Sequence, residues 1–143
     1  MAAVVTVTAT AVSAAPPSPD AEYERLVAFC RKGDAAEFQV TGCMAERVER
    51  LRKELAAAVR KKLFEISEVE RAEPEVGSLS GKESADRWRS AFDAEQSAWA
   101  SYERTRCKNV LDFENYGGSG AGQASAACSL KMLLRRIREL RNF

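Results

Sequence analysis

Four cysteines are the residues of this chain best suited to covalent chemistry: Cys30, Cys43, Cys107 and Cys128. None belongs to a Cys-x-x-Cys pair, so the spacing argues against a zinc knuckle or a thioredoxin-type site. The even number favours two disulfides, which need an oxidising compartment, whereas four separate buried thiols are the alternative. Three pairings are possible. We favour Cys30–Cys43 and Cys107–Cys128 because each closes a short loop.

Histidine is absent from the 143 residues. This excludes Ser-His and Cys-His catalysis, histidine-ligated zinc and an imidazole acid or base. Asp93 and Glu95 are a pair of neighbouring carboxylates, but two positions along a helix place them about 200° apart, so they cannot flank one glycosidic bond. We find no nucleophile or metal-ligand motif. The sequence therefore predicts no catalytic residue, no metal and no cofactor, and a protein that is not an enzyme.

A glycine-rich segment lies between the last two cysteines and reads Gly-Gly-Ser-Gly-Ala-Gly from Gly117 to Gly122. It matches neither common phosphate-binding glycine spacing, and no strand precedes it. We interpret it as a loop inside the ring that Cys107 and Cys128 would close. Such a loop suits binding because the scaffold holds both of its ends.

Charge gives little guidance about partners, because 22 basic and 21 acidic residues leave a net charge of +1. The balance offers no general argument for nucleic acid. The basic cluster at 60–62 lacks interleaved aromatic residues and is interpreted as a solvated helix face. No nucleic-acid partner and no small-molecule substrate are expected.

The first 19 residues differ from the rest. They are rich in Ala, Val and Thr, carry no charge up to Ala15, and end in a small-residue and proline segment. We interpret 1–19 as a signal-like leader; a disordered Ala/Pro-rich leader is the alternative. This stretch is too short and too rich in threonine to span a bilayer, and no other segment is a transmembrane candidate.

Residues 20–143 are expected to form a single helical domain. A short helix begins near Asp20 and ends near Gly33, and a separate short turn carries Phe38. The clearest long helix spans 44–72 with an apolar stripe, another begins near Ser84, and the last carries a basic face opposite its apolar stripe. The predicted fold is all-α: an antiparallel bundle of three main helices plus a short N-terminal helix, stapled by two disulfides.

The helix before Cys107 carries large aromatic residues at alternating steps of four and three. These are Trp88, Phe92, Trp99 and Tyr102, with Glu95 on the same seam. We expect the aromatic residues to lie in the core. Glu95 is expected at the edge of the seam or paired with a basic residue of a neighbouring helix.

Several of these residues together resemble the conserved segment of the lysozyme inhibitor LprI family. The matching positions are Gln96, Trp99, Tyr102, Cys107, Gly117, Gly118, Ser119, Cys128, Arg136 and Leu140. Upstream, Cys30, Cys43 and the helix with Leu51 resemble the first cysteine pair and first long helix of the family. The chain departs from the family pattern in three places: Glu103 stands where an arginine usually follows the aromatic residue, Arg52 where an asparagine is common, and Leu55 where a tyrosine is common.

The resemblance implies an all-helical domain with two disulfides, exported to the bacterial envelope, that inhibits lysozyme. We therefore expect a periplasmic or secreted protein whose partner is lysozyme and which occludes the lysozyme cleft without turnover. The candidate contact residues are the loop residues Tyr116 and Ser119 and the acidic stretch of Glu68, Glu70, Glu73 and Glu75. The alternative is an envelope interaction module that binds another protein or peptidoglycan through its basic last helix.

Overall fold

The computed structural model describes residues 16–73, 80–115, 118 and 120–142. Most of them belong to four helices: α1 (Pro19–Cys30), α2 (Glu37–Arg71), α3 (Lys82–Asn109) and α4 (Ala121–Arg141). A π-helical turn, Val110–Glu114, continues α3. No strand occurs within these ranges, and the all-α prediction is confirmed. Residues 1–15, on which most of the leader interpretation depends, lie outside the described part of the chain.

The helices α2 and α4 run parallel and form the centre of the bundle. Gln123 reaches the carbonyl of Glu37 near the start of both helices, and Arg141 lies 3.4 Å from Glu54 further along. The two partners are 86 residues apart in sequence in the first pair and 87 in the second, and this nearly equal separation shows that the helices run parallel. Because α4 ends at Arg141, the remaining 17 residues of α2 continue roughly 25 Å past it.

The helix α3 runs antiparallel to both central helices. Its last third meets Ser129 near the start of α4, while Arg89, in its first third, pairs with Glu70 near the end of α2. The helix α1 packs on the other side, and the structure shows no contact between the described residues of α1 and α3. The bundle is therefore a parallel central pair with one antiparallel helix on each side.

Two hydrophobic clusters hold the bundle together. The larger joins α1, α2 and α4 and contains Val27, Cys30, Val40, Met44, Val48, Leu51, Leu130, Leu133, Leu134 and Ile137. The smaller joins the far halves of α2 and α3 to the end of α4 and contains Ala58, Ile66, Ala85, Phe92 and Leu140. The projecting tip of the α2–α3 hairpin is thus held by its own small core.

Helix boundaries differ from the sequence prediction at two places. The helix α1, predicted to begin near Asp20, begins at Pro19 and is capped by Ser18, whose hydroxyl accepts from the Ala21 amide. The separate turn at Phe38 and the long helix predicted from 44 are one helix beginning at Glu37. Val40 and Met44 extend the buried face of α2 towards its N-terminus. This burial explains why the helix starts at Glu37 and not at the predicted residue 44.

Candidate functional site

Both disulfides lie at one end of the bundle, where α1 and α3 end and α2 and α4 begin. We call this the disulfide end. Cys30 and Cys43 are bonded, with Cα atoms 5.6 Å apart, and Cys107 and Cys128 are bonded, with Cα atoms 5.5 Å apart. The favoured pairing is confirmed. Each bond links two consecutive helices of the chain, so both fix the geometry of the same end.

The connection from α3 to α4 is held by hydrogen bonds on both sides. The Asn115 side chain donates to the carbonyl of Val110 at 2.8 Å, and Gly118 N–H donates to the carbonyl of Asn115 at 2.9 Å. On the α4 side, the Ser125 hydroxyl donates to the carbonyl of Cys107 at 3.0 Å. These contacts anchor the glycine-rich segment on a rigid frame.

The described part of this loop includes only some of the predicted loop residues. Gly118 and Gly120 are exposed, whereas Tyr116, Gly117 and Ser119 lie outside the described residues. A Cβ atom at Gly118 would approach the Asn115 carbonyl oxygen to 3.3 Å, closer than an ordinary contact. A small residue therefore suits this position.

The acidic candidates lie at the opposite end of the bundle, on the tip of the α2–α3 hairpin. About 30 residues of α2 separate them from the disulfide end, which corresponds to about 45 Å along the helix. Glu68 pairs with Arg71, and Glu70 accepts from Arg89 at 2.8 Å. This hydrogen bond is the main cause that raises the pKa of Arg89. The structure does not bring the acidic stretch and the loop together.

For the other two members of the acidic stretch, the described part of the structure gives no ion pair. Glu73 is exposed just after α2, and Glu75 lies outside the described residues. Because Glu68 and Glu70 already have basic partners on this chain, the hairpin tip offers a partner less negative charge than the sequence indicates.

Arg136 is a buried cation that links α4 to α3. Arg136 is only 5% exposed and donates to Glu95 at 2.6 Å and to Glu139 at 3.0 Å. Its guanidinium carbon lies 6.0 Å from the centre of the half-buried Trp99 ring. Among the described residues, the Gln96 side-chain nitrogen and Arg136 Nε have no hydrogen-bond partner. The prediction that Glu95 pairs with a basic residue of a neighbouring helix is confirmed.

Two aromatic residues expected in the core are exposed, so that expectation is wrong for them. Trp88 is 40% exposed and Tyr102 is 61% exposed. The buried face of α3 continues from Trp99 to Glu103 and Cys107 in steps of four, which turns Tyr102 outward. The bonded Cys107 was the signal in the sequence, because counting back four residues from it places Glu103 on the buried face.

The burial of Glu103 was not predicted from the sequence. This residue is 2% exposed and accepts from the Ser129 hydroxyl at 2.6 Å and from Arg52 at 3.3 Å. One carboxylate therefore joins α2, α3 and α4. Arg52 and Glu103, two of the positions at which the sequence was expected to depart from the family pattern, contact each other.

The basic face of α4 is partly neutralised. Arg135 lies 3.2 Å from Asp20, and Arg141 lies 3.4 Å from Glu54. Lys131 stands 4.4 Å from the centre of the Tyr23 ring. These contacts mainly tie α4 to α1 and α2, which reduces the charge that this face presents to a partner.

No group of three potential metal ligands is present in the described ranges. Of the helices α1 to α4, none has the length and apolar character needed to cross a membrane. Taken together, the fold and its bonds define a small all-α domain, stapled by two disulfides at one end, in which the buried side chains of Glu103 and Arg136 pair with more exposed partners on neighbouring helices.

Comparison with known families identifies the group to which this domain belongs. The family model described as lysozyme inhibitor LprI matches residues 30–140, a range that includes all four cysteines, Glu103 and Arg136. The chain belongs to the LprI family. Searches of curated proteins and of solved structures gave no match.

Proposed function

We propose that this protein is a lysozyme inhibitor that acts without turnover by occluding the cleft of the enzyme. The observation that carries the proposal is the family match over residues 30–140, which spans nearly the whole helical domain. Members of the family are named for inhibition of lysozyme and not for an enzymatic reaction. The residues responsible for binding are not assigned by this match and have to be argued from the structure.

The two disulfides support a location in the periplasm or outside the cell. Disulfides form and persist in oxidising compartments and are rare in the reducing cytosol. Lysozyme acts on the cell wall, so an inhibitor must occupy the same space as the wall. Localisation of the full-length protein by cell fractionation tests this part of the proposal.

The disulfide end is the surface that we favour for contact with lysozyme. Hydrogen bonds and a disulfide hold the described residues on both sides of its glycine-rich connection. Fixing the two ends of a loop lowers the conformational entropy that it can lose on binding, which favours affinity. The acidic tip is about 45 Å away along α2, so a single cleft does not engage both surfaces.

Two sets of variants distinguish these surfaces in a lysozyme turbidity assay. The loop variant replaces Tyr116 and Ser119 with alanine, and the tip variant replaces Glu68 and Glu70 with glutamine. We expect the loop variant to lose inhibition by about tenfold or more, because truncating a central tyrosine of an interface costs roughly 2 kcal/mol. The tip variant is the control and should inhibit like the unchanged protein.

The opposite pattern would move the interface to the hairpin tip and would leave the proposed activity intact. Loss of inhibition in neither variant would place the interface elsewhere on the bundle. Failure of the unchanged, oxidised protein to inhibit any lysozyme class at micromolar concentration would reject the proposed function itself.

A further inference from the structure

A concave surface lies between α2 and α3, away from the disulfide end. We call it the α2–α3 groove. It has a volume of about 490 Å³, within the range of small-molecule sites. Leu55 and Val59 of α2 and Trp99 of α3 give it an apolar floor. The groove therefore combines a size and a lining that suit a small ligand better than a polypeptide.

The charges around the groove are strongly biased towards one sign. Arg52, Arg60 and Arg104 line it, together with the single carboxylate of Glu103. That carboxylate has a side-chain exposure of 3% and is already bonded to Ser129 and to Arg52. Arg52 is thus already paired, with Glu103 and also with the exposed Glu49 at 3.6 Å, and two arginines of the lining remain.

The two remaining arginines face the groove from opposite walls. Arg60 belongs to α2 and Arg104 to α3, and both are exposed. Within the described ranges neither forms an ion pair with a carboxylate, whereas Arg135 and Arg141 do. An unpaired guanidinium on each wall leaves strong, planar hydrogen-bond donors available for an anion.

We propose that the α2–α3 groove binds an amphiphilic small anion. Its carboxylate or phosphate group is held by Arg60 and Arg104, and its apolar part lies on Leu55, Val59 and Trp99. The arginines alone would favour any anion, and the apolar floor alone would favour any hydrocarbon. Their juxtaposition selects a molecule that carries both groups. This binding is separate from the proposed inhibition of lysozyme and does not depend on it.

The fluorescence of Trp99 offers a direct measure of binding. The chain has two tryptophans, so replacing the exposed Trp88 with phenylalanine leaves Trp99 as the only reporter. Decyl phosphate is titrated below its micelle concentration. Decyl maltoside has the same tail without the charge, and inorganic phosphate has the charge without the tail. We expect saturable binding of decyl phosphate, with each control ligand binding at least about tenfold more weakly.

Matched variants in the same Trp88→Phe background show which arginines are responsible for the binding of decyl phosphate. Replacing Arg60 and Arg104 with alanine should weaken decyl phosphate binding by about tenfold or more, because hydrogen bonds to charged groups are lost. Replacing Arg25 and Arg31 removes the same charge from exposed positions outside the groove and should change the affinity by less than about twofold. Circular dichroism confirms that both variants are folded.

Vesicles of phosphatidylglycerol and of phosphatidylcholine separate the two sources of such a ligand. Sedimentation with phosphatidylglycerol that requires Arg60 and Arg104 identifies a lipid headgroup within a bilayer. Binding of monomeric decyl phosphate alone identifies a free amphiphile, and either result supports the groove. Equal affinity for decyl phosphate and decyl maltoside, or an unchanged affinity in the Arg60/Arg104 variant, overturns the proposal.

Discussion

Replacing Ser129 with alanine tests how the buried carboxylate of Glu103 is stabilised. The Ser129 hydroxyl donates to it at 2.6 Å in a site where both residues are buried. Arg52 is the second partner at 3.3 Å, but its side chain is 45% exposed to solvent. The geometry therefore assigns most of the stabilisation to the hydroxyl and less to the arginine.

The expected magnitudes follow from this difference in exposure. A hydrogen bond to a charged group contributes roughly 1.5–3 kcal/mol, so Ser129→Ala should cost about 2 kcal/mol of unfolding free energy. An ion pair open to water contributes roughly 0.2–1 kcal/mol, so Arg52→Ala should cost about 0.5–1 kcal/mol. The double variant leaves a buried charge with neither partner and should lose more than the sum of the two single variants.

Urea denaturation of the oxidised protein, followed by circular dichroism, measures these costs. In a separate thermal unfolding experiment, the melting temperature should fall by about 6 °C for Ser129→Ala, since about 3 °C accompanies each kcal/mol in a domain of this size. Ser101→Ala, on the exposed face of α3, is the control and should change stability little. A larger loss for Arg52→Ala than for Ser129→Ala would refute the reasoning, as would strict additivity in the double variant.

Three further predictions concern other parts of the bundle. Replacing Cys107 and Cys128 with serine opens a crosslink with a sequence separation of 21 residues; the entropy of that loop predicts a loss of about 3 kcal/mol in urea denaturation, and an unchanged midpoint would contradict it. The hydrogen bond from Lys82 is the main cause that lowers the pKa of Asp86, so their interaction stabilises the fold above the unfolded pKa and is lost as pH falls through the native one; Lys82→Met should return the Asp86 pKa, measured by NMR titration, towards its ordinary value. Gly33 has a φ of 76°, so Gly33→Ala should cost about 1 kcal/mol in thermal unfolding, and no loss would argue against the left-handed conformation.

The sequence predicted most of the fold because hydrophobic spacing and cysteine count are local signals. The stripe from Val48 to Ile66 was sufficient to predict α2, and the short loops favoured the correct disulfides. The start of α2 was missed because a separate short turn was predicted at Phe38, with the long helix beginning only at 44. In the structure, burial of Val40 and Met44 outweighs the helix cost of the exposed Gly42, roughly 1 kcal/mol.

The polar interior of the bundle was harder to predict. A glutamate on a helix is usually solvated, so Glu103 was not assigned to the core, although its spacing of four residues from Cys107 places it on the buried face of α3. The partners of Glu103 on α2 and α4, Arg52 and Ser129, are 51 and 26 residues away in sequence. The distance between the loop and the acidic stretch also depends on the direction and length of α2, which no short motif encodes.

The family match and the position of the disulfide end make inhibition of lysozyme by cleft occlusion the central claim. Steady-state kinetics of lysozyme on a soluble oligosaccharide, at increasing concentrations of the oxidised protein, test it most directly. An inhibitor that occupies the cleft competes with substrate and should raise the apparent KM while leaving kcat unchanged. A fall in kcat at constant KM, or no inhibition of C-, G- or I-type enzymes at micromolar concentration, would contradict the account.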